Sequence, residues 1–211
     1  MDDHRNDSYA APDNGWLKQA LNPWRISAWG LALLLLVLPA IAMHYTPQVR
    51  WDETDFLVMG LMLGGMGLAA EWMIRRSPNL WSRAASVVSL LTVFLTIWAN
   101  LAVGMIGSQD NPFNLLFAGV PVIALIGSAM ARLKPRGMAI SHGAAAAAQA
   151  GIAAMGAQID ARGGTFSALF AGLWLIAAVL YWLAASRAEG TASSSVKSSS
   201  SPRAARYPCR H

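Results

Sequence analysis

The sequence predicts an all-α integral membrane protein, a bundle of six transmembrane helices with both termini in the cytoplasm. Three observations predict it. Hydrophobic residues make up 55% of the 211-residue chain and charged residues only 13%, about half of the ~25% charge of a soluble domain, because a charge in hydrocarbon is costly. Six apolar runs approach the ~20 residues, at about 1.5 Å each, that a helix needs to cross a bilayer. Lysine and arginine alternate between crowded and nearly empty loops.

Residues 1–25 form the N-terminal segment. Up to residue 15 it is polar and aperiodic, the composition of disorder. Trp16, Lys18, Trp24 and Arg25 then mix indole rings with cations, as suits the headgroup layer. The transmembrane domain spans 26–185, with runs at 26–44, 54–74, 84–106, 113–132, 137–157 and 165–185. The first holds Leu31–Leu38 and is the strongest. A leader cleaved near Ala40-Ile41-Ala42 is its alternative reading, although the run is long enough to span. The fifth, with Ala144–Ala148, is the weakest, and is expected to lie against its neighbours rather than against lipid. Residues 186–211 read as a disordered, Ser/Arg-rich cytoplasmic tail.

Fourteen of the sixteen Lys and Arg residues lie in the two terminal segments and the second and fourth loops; only Arg50 and Arg162 lie on the other side. Cytoplasmic loops carry the positive excess, which fixes the expected orientation. The net charge of +5 is spread over loops and tail rather than one face, so no nucleic-acid partner is expected. Cys209 is the single cysteine and no Cys/His cluster accompanies it, so neither an internal disulfide nor a metal site is expected. No cofactor is expected.

The densest polar cluster of the hydrophobic region is Asn100, Asp110, Asn111 and Asn114. In the third run Thr92, Thr96, Asn100 and Gly104 are spaced by four and so share a helix face, with Ser89 beside them. That stripe belongs against other helices, with Asn114 as the expected neighbour of Asn100 across the turn. Asn111-Pro112 reads as an N-cap followed by proline at the first helical position, and Asp110 places a negative charge at the same helix start.

In the second run Gly60, Gly64 and Gly67 share a face that ends at Glu71. This glycine face is a helix-packing seam, and the candidate surface for a protein partner or a second copy of the chain. Glu71 precedes Arg75 by one helical turn, which suits an ion pair; a bundle-facing carboxylate is the alternative. His142 and Gln149 are seven apart and share a face; His142 is a candidate proton-handling group, and a packing histidine on the blander reading. The segments Asn114–Gly119 and Ser167–Gly172 repeat one another faintly. No nucleophile elbow, zinc-protease motif or phosphate-binding loop is present.

The blocks Arg50-Trp-Asp-Glu-Thr-Asp-Phe56 and Ala102-Val-Gly-Met-Ile-Gly-Ser-Gln-Asp-Asn-Pro-Phe-Asn114 resemble a group of uncharacterised bacterial inner-membrane proteins. The resemblance covers roughly residues 44–137 and leaves out the serine-rich tail. It implies a multi-pass protein of the bacterial inner membrane and implies no activity. The functional expectation is therefore a non-enzymatic structural or accessory membrane component in the lipid bilayer. The competing expectation is a small transporter or channel with a polar path near Asn100, Asn114, Glu71 and His142.

Overall fold

A computed structural model describes residues 23–77 and 79–199, and all their regular structure is helical. The order is α1 (Pro23–Tyr45), α2 (Glu53–Arg76), α3 (Leu80–Ala102), a single 3-10 turn (Pro112–Asn114), α4 (Leu115–Met130), α5 (Pro135–Gly156) and α6 (Ala161–Ser199). Among the described residues five helical stretches are long and apolar enough to cross a membrane: Pro23–Tyr45, Glu53–Arg76, Leu80–Ala102, Pro112–Met130 and Ala161–Gly190. The fold is thus all-α and compatible with a multi-pass membrane protein. The alanine-rich α5 falls outside those five. Helix α6 continues past residue 186, where a tail was expected to begin, as far as Ser199. The expected N-terminal segment up to residue 22, and the tail from 200 with its cysteine, lie outside the described residues.

The chain divides into two units, Met1–Leu68 and Ala69–His211, with the boundary inside α2. In the first unit α1 lies on the glycine face of α2. A Cβ on Gly67 would meet the indole of Trp29 at 2.8 Å, and one on Gly60 would lie 4.0 Å from Leu36. These contacts, seven residues apart on each helix, set an antiparallel pairing. The seam expected to await a partner is therefore met by α1 of the same chain at two of its three glycines; a Cβ on Gly64 would touch nothing within 4 Å. Asp52 and Asp55 cap α2 reciprocally, each carboxylate accepting the other's backbone N–H at 3.0 Å.

In the second unit α3 to α6 form an up-down bundle. Arg136 meets Glu189 and Gln149 meets Ser167, so α5 and α6 run antiparallel. Asn79 reaches Ala184 and Ser86 reaches Tyr181, so α3 and α6 do too. The buried positions repeat every seven residues: Ser82, Ser89 and Thr96 on α3; Asn114, Pro121 and Ser128 along α4 and its leading turn; His142, Gln149 and Gly156 on α5; Ser167, Trp174 and Tyr181 on α6. A seven-residue repeat is the signature of left-handed, knobs-into-holes packing. Three apolar layers alternate with these polar groups. Ala99, Met105, Ile106, Phe117 and Phe170 close one end. Val120, Ala124, Ala145, Ala146 and Trp174 fill the middle. Ala85, Met138, Ala139 and Tyr181 pack the other end. Outside this interior the surface is apolar, with Leu125, Leu169 and Leu175 more than half exposed, a shell far larger than a soluble monomer tolerates.

Candidate functional site: the polar interior of the helical bundle

At one end of the bundle the chain between α3 and α4 folds inward as a plug. Helix α3 stops at Ala102, and Gly104 and Gly107 take φ of +71° and +69°, which glycine adopts without strain. Met105 and Ile106 turn into the interior at 1% and 0% exposure. The side chain of Ile106 packs where a Cβ on Gly156 would come within 2.5 Å of it. Asn114 holds the plug. Its Oδ1 accepts the N–H groups of Met105 (3.1 Å) and Ile106 (2.9 Å), and its Nδ2 donates to the carbonyl of Ser108 (2.8 Å). Asn111 caps the 3-10 turn, accepting the N–H of Phe113 at 3.0 Å, and donates to the Ile106 carbonyl. Gln109 donates to the Leu101 and Ala102 carbonyls at the end of α3.

Asp160, just before α6, ties the plug to the far hairpin. Its carboxylate accepts the N–H of Gly107 at 3.1 Å and that of Arg162 at 3.0 Å. Hydrogen bonds from the Gly163 and Gly107 backbone hold this carboxyl below its usual range, helped by Arg162 and opposed by desolvation. Sequence reasoning passed over Asp160. The available signal was an acid immediately before an apolar run, a helix-start position.

Toward the middle, His142 is 2% exposed. Its Nδ1 lies 2.8 Å from the Met138 carbonyl, which can only accept, so Nδ1 carries a proton. In the neutral ring Nε2 then accepts from the Ser89 hydroxyl. The ring lies between Trp174 and Tyr181, at centroid distances of 5.6 and 5.1 Å. Tyr181 in turn donates to Ser86 at 3.4 Å. Gln149 is fully buried and donates to the Ser167 carbonyl at 3.1 Å. Its Oε1, the hydroxyl of Ser167 and the indole N–H of Trp174 have no hydrogen-bond partner.

At the opposite end from the plug lies a cavity of about 230 Å³ lined by Trp72, Met73, Arg76, Ser77, Ser82, Ser86, Arg132, Leu133, Pro135, Met138 and Tyr181.

The sequence-predicted residues therefore separate. Asn114 and Asn111 join the plug, while Asp110 is exposed at its rim. Asn100 does not pair with Asn114: it is half-buried at the edge of α3, where Ala99 takes the inward position, and its Oδ1 has no partner. Gly104 is not part of a helical packing stripe, because α3 ends before it and the residue serves the turn. Glu71 pairs with Arg75 at 3.4 Å on the surface. His142 is enclosed as described. Asn100, Asn114, Glu71 and His142 are not brought together into one path. Among the described residues no cluster of His, Cys, Asp or Glu is arranged to hold a metal ion. No protein family, curated protein or solved structure matches this chain.

Proposed function

We propose that the chain is a six-span protein of a bacterial inner membrane with both termini in the cytoplasm, acting as a non-enzymatic accessory component that binds rather than transforms. One observation carries the non-enzymatic reading. The interior side chains best suited to chemistry hold structural hydrogen bonds: Asn114 to the plug, His142 to Ser89 and the Met138 carbonyl, Gln149 through its Nε2 to the Ser167 carbonyl. Among the described residues no acid, base and nucleophile converge on a shared open space, as acyl or phosphoryl chemistry requires. The count of six is supported by α5, which falls short of a span on hydropathy yet buries Ser141, His142, Ala145 and Gln149 against neighbouring helices. The orientation is supported by the loop charges and by three Arg–Trp stacks, Arg76 on Trp72, Arg136 on Trp182 and Arg187 on Trp81. They sit at the arginine-rich end, where interfacial indoles and cations gather. The inner-membrane assignment rests on the resemblance described above.

Alkaline phosphatase fused after Ser108 is expected to be active, and after Lys134 inactive; the reverse pattern would overturn the topology. The binding reading is tested by native mass spectrometry of gently purified protein, which is expected to retain a stoichiometric lipid or protein. A clean, unaccompanied mass sinks it.

A second reading, a small transporter, is favoured by the three buried polar atoms without partners on Gln149, Ser167 and Trp174. Proteoliposomes carrying a pH-sensitive dye would then leak protons, and Gln149→Leu would stop the leak.

A further inference from the structure

We propose that the cavity at the arginine-rich end is a binding site for the phosphate of an anionic amphiphile, a phospholipid headgroup at the inner leaflet. The inference deepens the binding role proposed above and rests on it.

The lining sorts into two kinds of surface. Arg76 and Arg132 supply two permanent positive charges and Ser82 a free hydroxyl donor, whereas the hydroxyl protons of Ser77, Ser86 and Tyr181 are given to the Met73 carbonyl, the Ser82 carbonyl and Ser86. No carboxylate is among the lining residues. Ser82 is 3% exposed and its hydroxyl has no hydrogen-bond partner, an unspent donor at the wall of a basic cavity. Ser82 and Pro135 belong to the first turns of α3 and α5, so two helix N-termini add positive potential to the same space. Trp72, Met73, Leu133 and Met138 provide the apolar remainder.

The loop that delivers Arg132 is strained. Arg132 and Leu133 both adopt left-handed backbone, φ of 51° and 57°, where a side chain is strained and glycine is the usual occupant. The turn is held by Leu133 N–H to the Ser128 carbonyl at 3.0 Å and Arg132 N–H to the Ala129 carbonyl at 2.9 Å. An arginine where glycine would relax the backbone fits a residue kept for its guanidinium. The volume decides the class of ligand. Sites for whole drug-sized molecules run to about 300–1,000 Å³, so 230 Å³ suits a headgroup whose acyl chains stay outside in the bilayer.

The test titrates the full-length protein in neutral detergent with dihexanoyl-phosphatidylglycerol, dihexanoyl-phosphatidylcholine and inorganic phosphate, reading the thermal unfolding midpoint and tryptophan fluorescence. Saturable binding of the anionic lipid is expected, weakened about tenfold in Arg76→Gln and in Arg132→Gly, as for loss of one charge-assisted contact each. Arg132→Gly removes the charge while relaxing the backbone, so its ligand-free unfolding midpoint is expected to equal or exceed that of the wild type. Exposed Arg76 offers a second variant should the loop change fail to fold. Saturation by inorganic phosphate at similar concentration, with the same dependence on both arginines, would support the phosphate site and make free phosphate the ligand. Equal binding of the zwitterionic lipid, or wild-type affinity for the anionic lipid in both arginine variants, would overturn the proposal. The phosphatase fusions report orientation separately, so a correct topology with no binding of the anionic lipid or of phosphate defeats this inference alone.

Discussion

The carboxamide of Asn114 grips the backbone of Ile106 from both sides: Oδ1 accepts its N–H at 2.9 Å and Nδ2 faces its carbonyl at 3.4 Å. A single side chain thereby satisfies the peptide groups of a turn that is driven into an apolar interior, where unpaired backbone is costly. Asn114→Ala leaves the buried N–H donors of Met105 and Ile106 without partners, while the Ile106 and Ser108 carbonyls keep the Asn111 side chain and backbone N–H as donors. A loss of about 2–3 kcal/mol is expected, at the upper end for an orphaned buried group, read as a lower unfolding midpoint in detergent. Asn100→Leu is expected to leave that midpoint unchanged or raise it, since the Oδ1 it removes has no partner. A larger loss in Asn100→Leu than in Asn114→Ala would refute this division of roles.

The contrast between those two asparagines shows where sequence reasoning reached its limit. Apolar runs locate the helices to within a few residues except at the end of α6, which runs to Ser199 rather than 185, because an apolar stretch of spanning length is a coarse, one-dimensional signal. Local chemistry was also legible. Asn111-Pro112 caps a helical turn and Glu71 pairs with Arg75, as their spacing requires. The plug was not legible, because Met105 and Ile106 continue an apolar run and nothing local distinguishes a helix from a chain folding back into the bundle. Gly104 therefore read as the next member of a four-residue stripe that had already ended at Ala102. The inward positions were legible in principle through the spacing of seven in Ser82, Ser89 and Thr96 and in Ser167, Trp174 and Tyr181.

Ser89 and His142 join α3 to α5 through the core. If the Ser89 hydroxyl donates to Nε2, Ser89→Ala and His142→Phe should not add. A double-mutant cycle is expected to give a coupling of about 1 kcal/mol, the usual worth of an interhelical hydrogen bond. Nitrogen NMR of the labelled histidine is expected to find Nδ1 protonated and Nε2 bare. A ring protonated at Nε2 alone would contradict the assignment to the Met138 carbonyl.

Asp160 makes stability depend on pH in a defined direction. Its folded carboxyl titrates below the unfolded value of about 3.9. The unfolded chain therefore takes up the proton first as pH falls. The contribution of Asp160 is fully present above the unfolded pKa and is lost as pH drops through the folded one. Unfolding midpoints measured from pH 6 to about pH 3 should decline more steeply in the wild type than in Asp160→Asn, with the two curves converging at the acid end. Parallel curves would show that the carboxylate has no preferential hold on the Gly107 N–H.

Trp29 and Gly67 test the pairing of α1 with α2. A side chain at 67 must enter the space of the indole, since its first carbon would sit 2.8 Å from the ring. Trp29 is 38% exposed and its ring can swing aside for a methyl group, so Gly67→Ala is expected to cost under about 1 kcal/mol. Gly67→Leu exceeds what the ring can yield and should cost about 1–3 kcal/mol as overpacking. Trp29→Ala opens the space the leucine needs, so Trp29→Ala combined with Gly67→Leu is expected to be more stable than Gly67→Leu alone. Gly64→Leu, at a position with no atom within 4 Å of a Cβ, should gain nothing from Trp29→Ala. Suppression that works equally for positions 64 and 67, or for neither, would show that the indole does not seat on Gly67.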